Sequence, residues 1–201
     1  MLRRMVVIVV LIVAAVVMAV SGPAHACVGK TLVIGSVNTP ELSTTAEMLS
    51  VLITERTGTT VVVKYFDNFP ACYDAVKKGD VDILIDYTGR CYTDVLGKPA
   101  EQDAGKVFSA VKEAYQRDMN LVWLEPFGFS DTASAKPGST PAIAAPVVRK
   151  DTLNKFPALP RVINKLAGKL DNDVMSKLTS DGGNGKTKKV TRKFLKDRKL
   201  I

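Results

Sequence analysis

The sequence predicts an α/β fold, in which helices cover a layered sheet. From Lys30 onward, short apolar runs alternate with amphipathic helical segments. Strands that alternate with helices form parallel crossovers, and these place helices on the faces of a sheet. The chain has 201 residues, 46% of them hydrophobic, which is enough for one domain with its own core and too few for two of ordinary size.

The first half of the chain contains the clearest element signals. The β-branched run at 31–36 predicts a buried strand. Residues 43–58 predict a helix, with Thr44 and Glu47 spaced as a capping box and Gly58 at its end. Further strands are predicted at 59–66 and 81–87, with a short helix at 70–79 between them.

The second half of the chain differs in composition after a further predicted helix at 101–117. A strand at 120–127 is followed by a stretch rich in Ala, Ser, Pro and Gly, and this composition predicts no regular element. The remaining predicted elements are a strand at 142–148 and helices at 159–170, 171–178 and 186–200.

The N-terminus predicts a signal peptide over residues 1–26. Arg3 and Arg4 precede an apolar run at 5–20, and Ala24-His25-Ala26 supplies the small residues of a cleavage site. This run is shorter than the roughly 20 residues that a membrane-spanning helix needs. We therefore expect an exported protein, 27–201, in the periplasm or at the outer face of the cytoplasmic membrane.

Composition argues against several classes of function. The sole histidine, His25, lies in the predicted signal peptide, so we expect no histidine-dependent catalysis and no histidine-ligated metal. Asp82 and Asp86 would lie about 13 Å apart on one strand, beyond the roughly 9.5 Å limit of a glycosidase pair. We predict no enzyme activity and no cofactor. Nucleic acid is not an expected partner, because no aromatic residues interleave with the basic residues of the last helix.

Three cysteines follow the predicted cleavage site. Cys27 would either be the first residue after ordinary cleavage or carry a lipid on its thiol. Cys72 and Cys91 are left as a possible disulfide pair in an oxidising compartment.

Polar and aromatic residues cluster in the loops that follow the first three predicted strands. In an open parallel sheet these loops meet at one edge, where ligands bind. Each residue taken alone also suits a turn or a helix cap, and only their convergence favours a site for a small polar or cationic molecule. The candidate ligand-binding residues are Ser36, Asn38, Asn68, Phe69, Tyr87, Thr88 and Arg90.

Several blocks of sequence resemble the substrate-binding proteins of ABC importers for glycine betaine, choline, carnitine and proline. The blocks are "LVIGSVNTPE", "YDAVKKGDVDILIDYTGR", "NLVWLEPFGFSDT" and the C-terminal segment from "AAPVVRKDTLNKF" to "FLKDRKLI". The resemblance implies that residues 27–201 form a single three-layer αβα lobe, similar to one half of a type II periplasmic binding protein. Members of that family have two such lobes and enclose the ligand between them in an aromatic cage.

From this resemblance we expect the second lobe to be absent from the chain. "GFSDT" and "AIAAPVV" resemble the strands that cross between lobes, and residues 130–142 form a short linker in place of the second lobe. Pro137 and Gly138 predict a tight reversal that keeps both strand stubs at the same sheet.

The resemblance also assigns residues to the site. Tyr87 resembles the cage tyrosine of the family's Tyr-Thr-Gly-Thr motif, and Thr88 and Gly89 match that motif. Arg90 stands in place of its last threonine and brings a positive charge to where a quaternary amine is expected. Val37 replaces a lysine, and residues 67–69 replace Gly-Gly-Thr.

We therefore expect the substrate-binding component of an ABC importer for glycine betaine or a related quaternary-amine or amino-acid-like solute. Its partner would be a permease in the membrane. One lobe buries less of a ligand, so we expect weakened capture unless a homodimer restores the cleft. The alternative is an exported interaction module without high-affinity capture.

Overall fold

A computed structural model describes residues 31–133, 135–183 and 185–201. The predicted signal peptide, 1–26, and Cys27 lie outside the described residues. The first half contains β1 (Thr31–Val37), α1 (Pro40–Thr57), β2 (Thr60–Phe66), α2 (Phe69–Lys78), β3 (Ile83–Tyr87), α3 (Thr88–Arg90), a π-helical turn (Cys91–Val95) and α4 (Ala104–Asp118). The second half contains β4 (Leu121–Trp123), β5 (Ala144–Arg149), α5 (Lys150–Lys155), α6 (Leu159–Ile163), a 3-10 turn (Asn164–Leu166), α7 (Asn172–Gly182) and α8 (Thr187–Asp197).

The five strands form one mixed sheet in the order β2-β1-β3-β5-β4. Strand β1 pairs in parallel with β2 and β3, while β5 runs antiparallel to both β3 and β4. The α/β prediction is confirmed, but the expectation of parallel strands throughout is wrong for β5. The chain passes from β4 to β5 without a helical crossover, so β5 returns in the opposite direction.

Helices cover both faces of the sheet and form the predicted three layers. Helices α1, α6, α7 and α8 contribute to one core, whereas α2 and α4 contribute to the other. Strand β3 lies between them and is buried along its whole length. Its side chains alternate, so that Ile83 and Ile85 enter the first core and Leu84 enters the second.

Helix α1 begins earlier than the sequence predicts. Its N-cap is Thr39, whose side chain accepts a hydrogen bond from the Leu42 amide at 3.4 Å, and Pro40 takes the first helical position. Thr44 is a buried residue inside the helix, so the predicted capping box at that position is wrong. Proline suits the first turn because its φ is already helical and it has no N–H to leave unpaired. Gly58 ends the helix as predicted, with φ of 69°.

Two other predicted elements are shorter than expected. The predicted strand at 120–127 is limited to β4. Beyond it the Glu125 amide donates to the Asn164 side chain, and Pro126 has no N–H to donate to a sheet ladder. The predicted helix at 159–170 stops at Ile163 and continues as a 3-10 turn. Among the residues that the structure describes, none of the helices combines the length and apolar character needed to cross a membrane.

Leu49→Ala should lower the free energy of unfolding by about 2–5 kcal/mol, because it leaves a cavity where α1 packs on the sheet. Leu49 is fully buried in the first core. Urea unfolding measures the change. The control is Val62→Ala on the edge strand, where the side chain is 43% exposed and the cost should be well below that of Leu49→Ala. Equal effects of the two substitutions would contradict this packing of α1.

Candidate functional site

Four of the predicted binding residues meet at one cavity beside the carboxyl end of β3. Strand β3 continues directly into α3, and α2 begins nearby at Phe69. Because β1, β2 and β3 run in parallel, their ends and the helices that follow share one edge of the sheet. The cavity has a volume of about 690 Å³ and is lined on this side by Phe69, Tyr87, Gly89 and Arg90.

An ion pair between Asp86 and Arg90 supports this side of the cavity. Asp86 is fully buried, and its Oδ1 accepts hydrogen bonds from the Arg90 Nε at 2.8 Å and from the Tyr87 amide at 2.6 Å. Its Oδ2 accepts from the Arg90 Nη2 and from the Cys91 thiol, whose sulfur lies at 3.2 Å. All the donors lie within five positions of Asp86 along the chain.

Arg90 is held with its guanidinium over the ring of Phe69. The guanidinium carbon lies 4.1 Å from the ring centroid, which is cation–π geometry. Burial would lower the pKa of Arg90, but the hydrogen bonds to Asp86 and the charge of that carboxylate outweigh it and raise the pKa. Arg90 therefore carries its charge at every accessible pH, and one face of Phe69 is already covered by a cation.

Tyr87 contributes a second, largely buried ring. It makes edge-on contacts with Phe69, at 6.5 Å between centroids, and with Phe129, at 6.3 Å. Burial raises the pKa of Tyr87, and the nearby charges of Asp131 and Glu41 add to the effect. The phenol therefore stays protonated and can donate a hydrogen bond.

The opposite wall of the cavity is the connection, residues 130–142. Its two arms run antiparallel: Asp131 donates its amide to Ala142 at 2.9 Å, and Ser130 forms a bridge with Ile143. Gly138 reverses the chain with φ of 81°, next to Pro137, where the sequence predicts the turn. The connection lines the cavity with Ser130, Asp131, Ala135, Ser139, Thr140, Pro141 and Ala142.

The residues before α4 fasten the connection to the lobe. The Gln102 side chain donates to the Gly138 carbonyl at 2.8 Å, and the Glu101 amide donates to the Thr140 hydroxyl at 3.2 Å. These two bonds attach the connection, whose residues 135–139 are exposed, to the segment before α4.

Thr88 and Gly89 mainly contact the connection. The Thr88 hydroxyl donates to the Pro141 carbonyl at 3.2 Å and accepts from the Ile143 amide at 3.0 Å. A methyl group on Gly89 would lie 2.8 Å from the Thr140 carbonyl oxygen, so only glycine permits this approach. Thr88 is not brought to the cavity, and Gly89 lies where the two walls touch.

The other predicted binding residues lie elsewhere. Ser36 is fully buried, and its hydroxyl donates to the Val37 carbonyl at 3.0 Å. Asn68 caps α2 by accepting from the Ala71 amide at 2.9 Å. Asn38 lines a separate groove beside the start of α1. The structure therefore brings together Phe69, Tyr87, Gly89 and Arg90 and leaves out Ser36, Asn38, Asn68 and Thr88.

The profile of one protein family matches residues 30–135 and describes the substrate-binding domain of ABC-type glycine betaine transport systems. The chain belongs to this family. The match ends inside the connection, so the arm of the second wall that returns toward β5 lies beyond it.

Known proteins agree with this family assignment. The carnitine transport binding protein OpuCC of Listeria monocytogenes is 28% identical over 149 residues, which are 73% of this chain and 46% of that protein. The chain thus spans about half the length of this curated relative. Among solved structures, a glycine betaine/carnitine/choline ABC transporter has a TM-score of 0.74 at 16% identity, covering 85% of this chain and 98% of that chain. Apo YehZ from Escherichia coli has a TM-score of 0.72 at 15% identity, covering 86% and 100%. At these identities the two structures show the fold alone.

The possible disulfide between Cys72 and Cys91 is not formed in the structure, where both thiols are free and buried. The two sulfurs pack against different neighbours. Cys72 faces Gly35 on β1, and Cys91 faces Asp86. Burial raises the pKa of Cys72 to about 12, and burial together with the charge of Asp86 raises the pKa of Cys91.

Sequence reasoning missed several residues of the cavity. Asp86 binds and orients Arg90, and the spacing of four residues between them is the signal that could have identified the pair. Thr93 and Asp94 line the same wall from the π-helical turn. Nothing in a stretch of Ala, Ser, Pro and Gly indicates that it forms the facing wall.

Thiol reactivity tests the state of the cysteines. In a Cys27→Ser variant without reductant, unfolding in denaturant should release two reactive thiols per chain. In the folded protein near pH 8 both should react slowly, because they are buried and their raised pKa values keep them protonated. A count of zero in denaturant would instead demonstrate the disulfide.

Gly89→Ala should detach the connection from α3. The new methyl group meets backbone atoms at 2.8–3.0 Å, and relieving the overlap should cost about 1–3 kcal/mol of unfolding free energy. Hydrogen exchange at the Ile143 amide should accelerate as well, because its bond to Thr88 is disturbed. Gly105→Ala is the control, since its nearest contact is the flexible Asp103 carboxylate at 3.2 Å. Unchanged exchange at Ile143 would contradict the packing of the connection on Gly89.

Proposed function

We propose that the chain captures a small zwitterionic solute of the glycine betaine class for an ABC importer. The observation that supports this most is the cavity itself, which lies at the carboxyl ends of the strands between a wall of aromatic rings and Arg90 and a facing wall supplied by the connection. A concave site with apolar rings and a few convergent polar groups is the usual form of a small-molecule site. The family match supports the same assignment.

The charges around the cavity fit a solute that carries both signs. Arg90 contributes a cation, while Asp94 and Asp131 contribute carboxylates from the two walls. A zwitterion can match both signs, whereas a purely cationic or anionic solute matches only one. The rings of Phe69 and Tyr87 form the apolar part of the wall that holds Arg90.

We expect the affinity of this site to be modest. The connection is a short turn where a second lobe would add far more contact area, so less of the solute is removed from water. We expect a Kd of about 0.1–1 mM, which corresponds to roughly 4–5.5 kcal/mol.

The proposal includes the location of the protein outside the cytoplasm and a membrane permease as its partner. Residues 1–26 have the pattern of a signal peptide, which supports work outside the cytoplasm beside a permease. OpuCC is a carnitine transport binding protein, and we propose that this chain also binds its solute without transforming it. Light-scattering mass in the same samples decides whether one copy or two copies form the site.

Calorimetric titration of the protein lacking residues 1–26 tests the proposal. Glycine betaine, carnitine or proline should bind at one site in the cavity. Gln102→Ala should weaken that binding a few-fold, because it releases the turn at Gly138, while Gln116→Ala on the exposed side of α4 should have no effect. Absence of binding by every solute would overturn the proposed function and favour the interaction module.

A further inference from the structure

Arg90 retains donors that point away from its ion pair. Its Nε and Nη2 face Asp86, and Nη2 also contacts the Cys91 sulfur at 3.6 Å. Its Nη1 has no hydrogen-bond partner among residues 31–133, 135–183 and 185–201. The side chain is 23% exposed and lines the cavity, and Nη1 is the donor that the ion pair leaves over.

The aromatic surface of the cavity is poorly placed for a quaternary ammonium near Arg90. Such a group has no N–H and relies on the faces of aromatic rings. The near face of Phe69 is covered by the guanidinium at 4.1 Å. Tyr87 is only 8% exposed and is packed edge-on between Phe69 and Phe129. The cationic end of a solute must therefore lie away from this wall.

The ion pair presents its positive end to the cavity. Asp86 is fully buried behind Arg90, so the pair acts as a dipole with the guanidinium outward. A carboxylate is the group that matches outward guanidinium donors, through charge-assisted hydrogen bonds in the plane of the group.

We propose that Arg90 is a specificity-determining residue that binds the carboxylate of the solute and rejects cations that lack one. Asp86 acts as a positioning residue, because its two oxygens fix the guanidinium over Phe69 and turn Nη1 toward the cavity. The ammonium end of the solute then lies toward the facing wall, which includes Asp131. This assignment rests on the proposed function, since it names the solute chemistry of the same cavity.

Glycine betaine and choline form a matched pair for the test. Both carry a trimethylammonium group, and they differ in having a carboxylate or a hydroxymethyl group. In the wild-type protein choline should bind about ten- to a hundredfold more weakly than glycine betaine, the range expected for a hydrogen bond to a charged group. Competition calorimetry measures the ratio of the two dissociation constants.

Two variants assign the preference to Arg90. Arg90→Gln removes the charge but leaves Asp86 buried without its partner, which destabilises the fold. The double variant Asp86→Asn with Arg90→Gln removes both charges and can keep an amide–amide hydrogen bond, so it separates specificity from folding. In the double variant the glycine betaine to choline ratio should fall to about one. Arg117→Gln, on the exposed end of α4, should retain the wild-type ratio.

The outcomes separate the two proposals. Equal binding of choline and glycine betaine by the wild type, or a preference retained in the folded double variant, would overturn the role of Arg90 and leave the proposed function standing. Failure of every solute to bind to the wild type and to the variants would overturn the proposed function and the role of Arg90 with it.

Discussion

The burial of the Asp86 carboxylate is the constraint on which the architecture of the cavity depends. A charge in the middle of a packed sheet is costly unless several donors surround it. Here the donors come from the next five residues, so β3 must turn into a helix at once. The helical turn brings Arg90 back over Asp86 at the four-residue spacing, and the π-helical turn places Cys91 on the same carboxylate.

The same short helix, α3, also provides hydrogen-bond partners for the connection. The arms of the connection leave and re-enter the sheet with polar backbone groups that need partners when buried. Thr88 supplies both a donor and an acceptor to the returning arm, and Gly89 lets that backbone approach closely. Three consecutive residues, Thr88 to Arg90, therefore join the ion pair on one side of α3 to the connection on the other.

The layers of the fold could be predicted because their signals are local. Periodicity, β-branched runs and end residues such as Gly58 identified the helices and strands along the chain, and the family resemblance gave the three-layer lobe. The antiparallel direction of β5 could not be read the same way, since it depends on how the chain returns through the connection. Of the site, ring and charge chemistry indicated Phe69, Tyr87 and Arg90. The true role of Thr88 was hidden, because its partners lie more than fifty positions along the chain.

A cavity of this kind differs in energetics from a cleft that closes by the motion of two lobes. Its second wall is already fastened by Thr88, Gln102 and Thr140, so little ordering remains to be done when a solute enters. The area that a short turn can cover is small, however, and this limits the surface removed from water. We expect the affinity for a solute here to be limited by contact area rather than by the cost of closure. We then expect discrimination to come from a few directed groups, and a guanidinium fixed by a buried carboxylate suits that task because its orientation is set before a solute arrives.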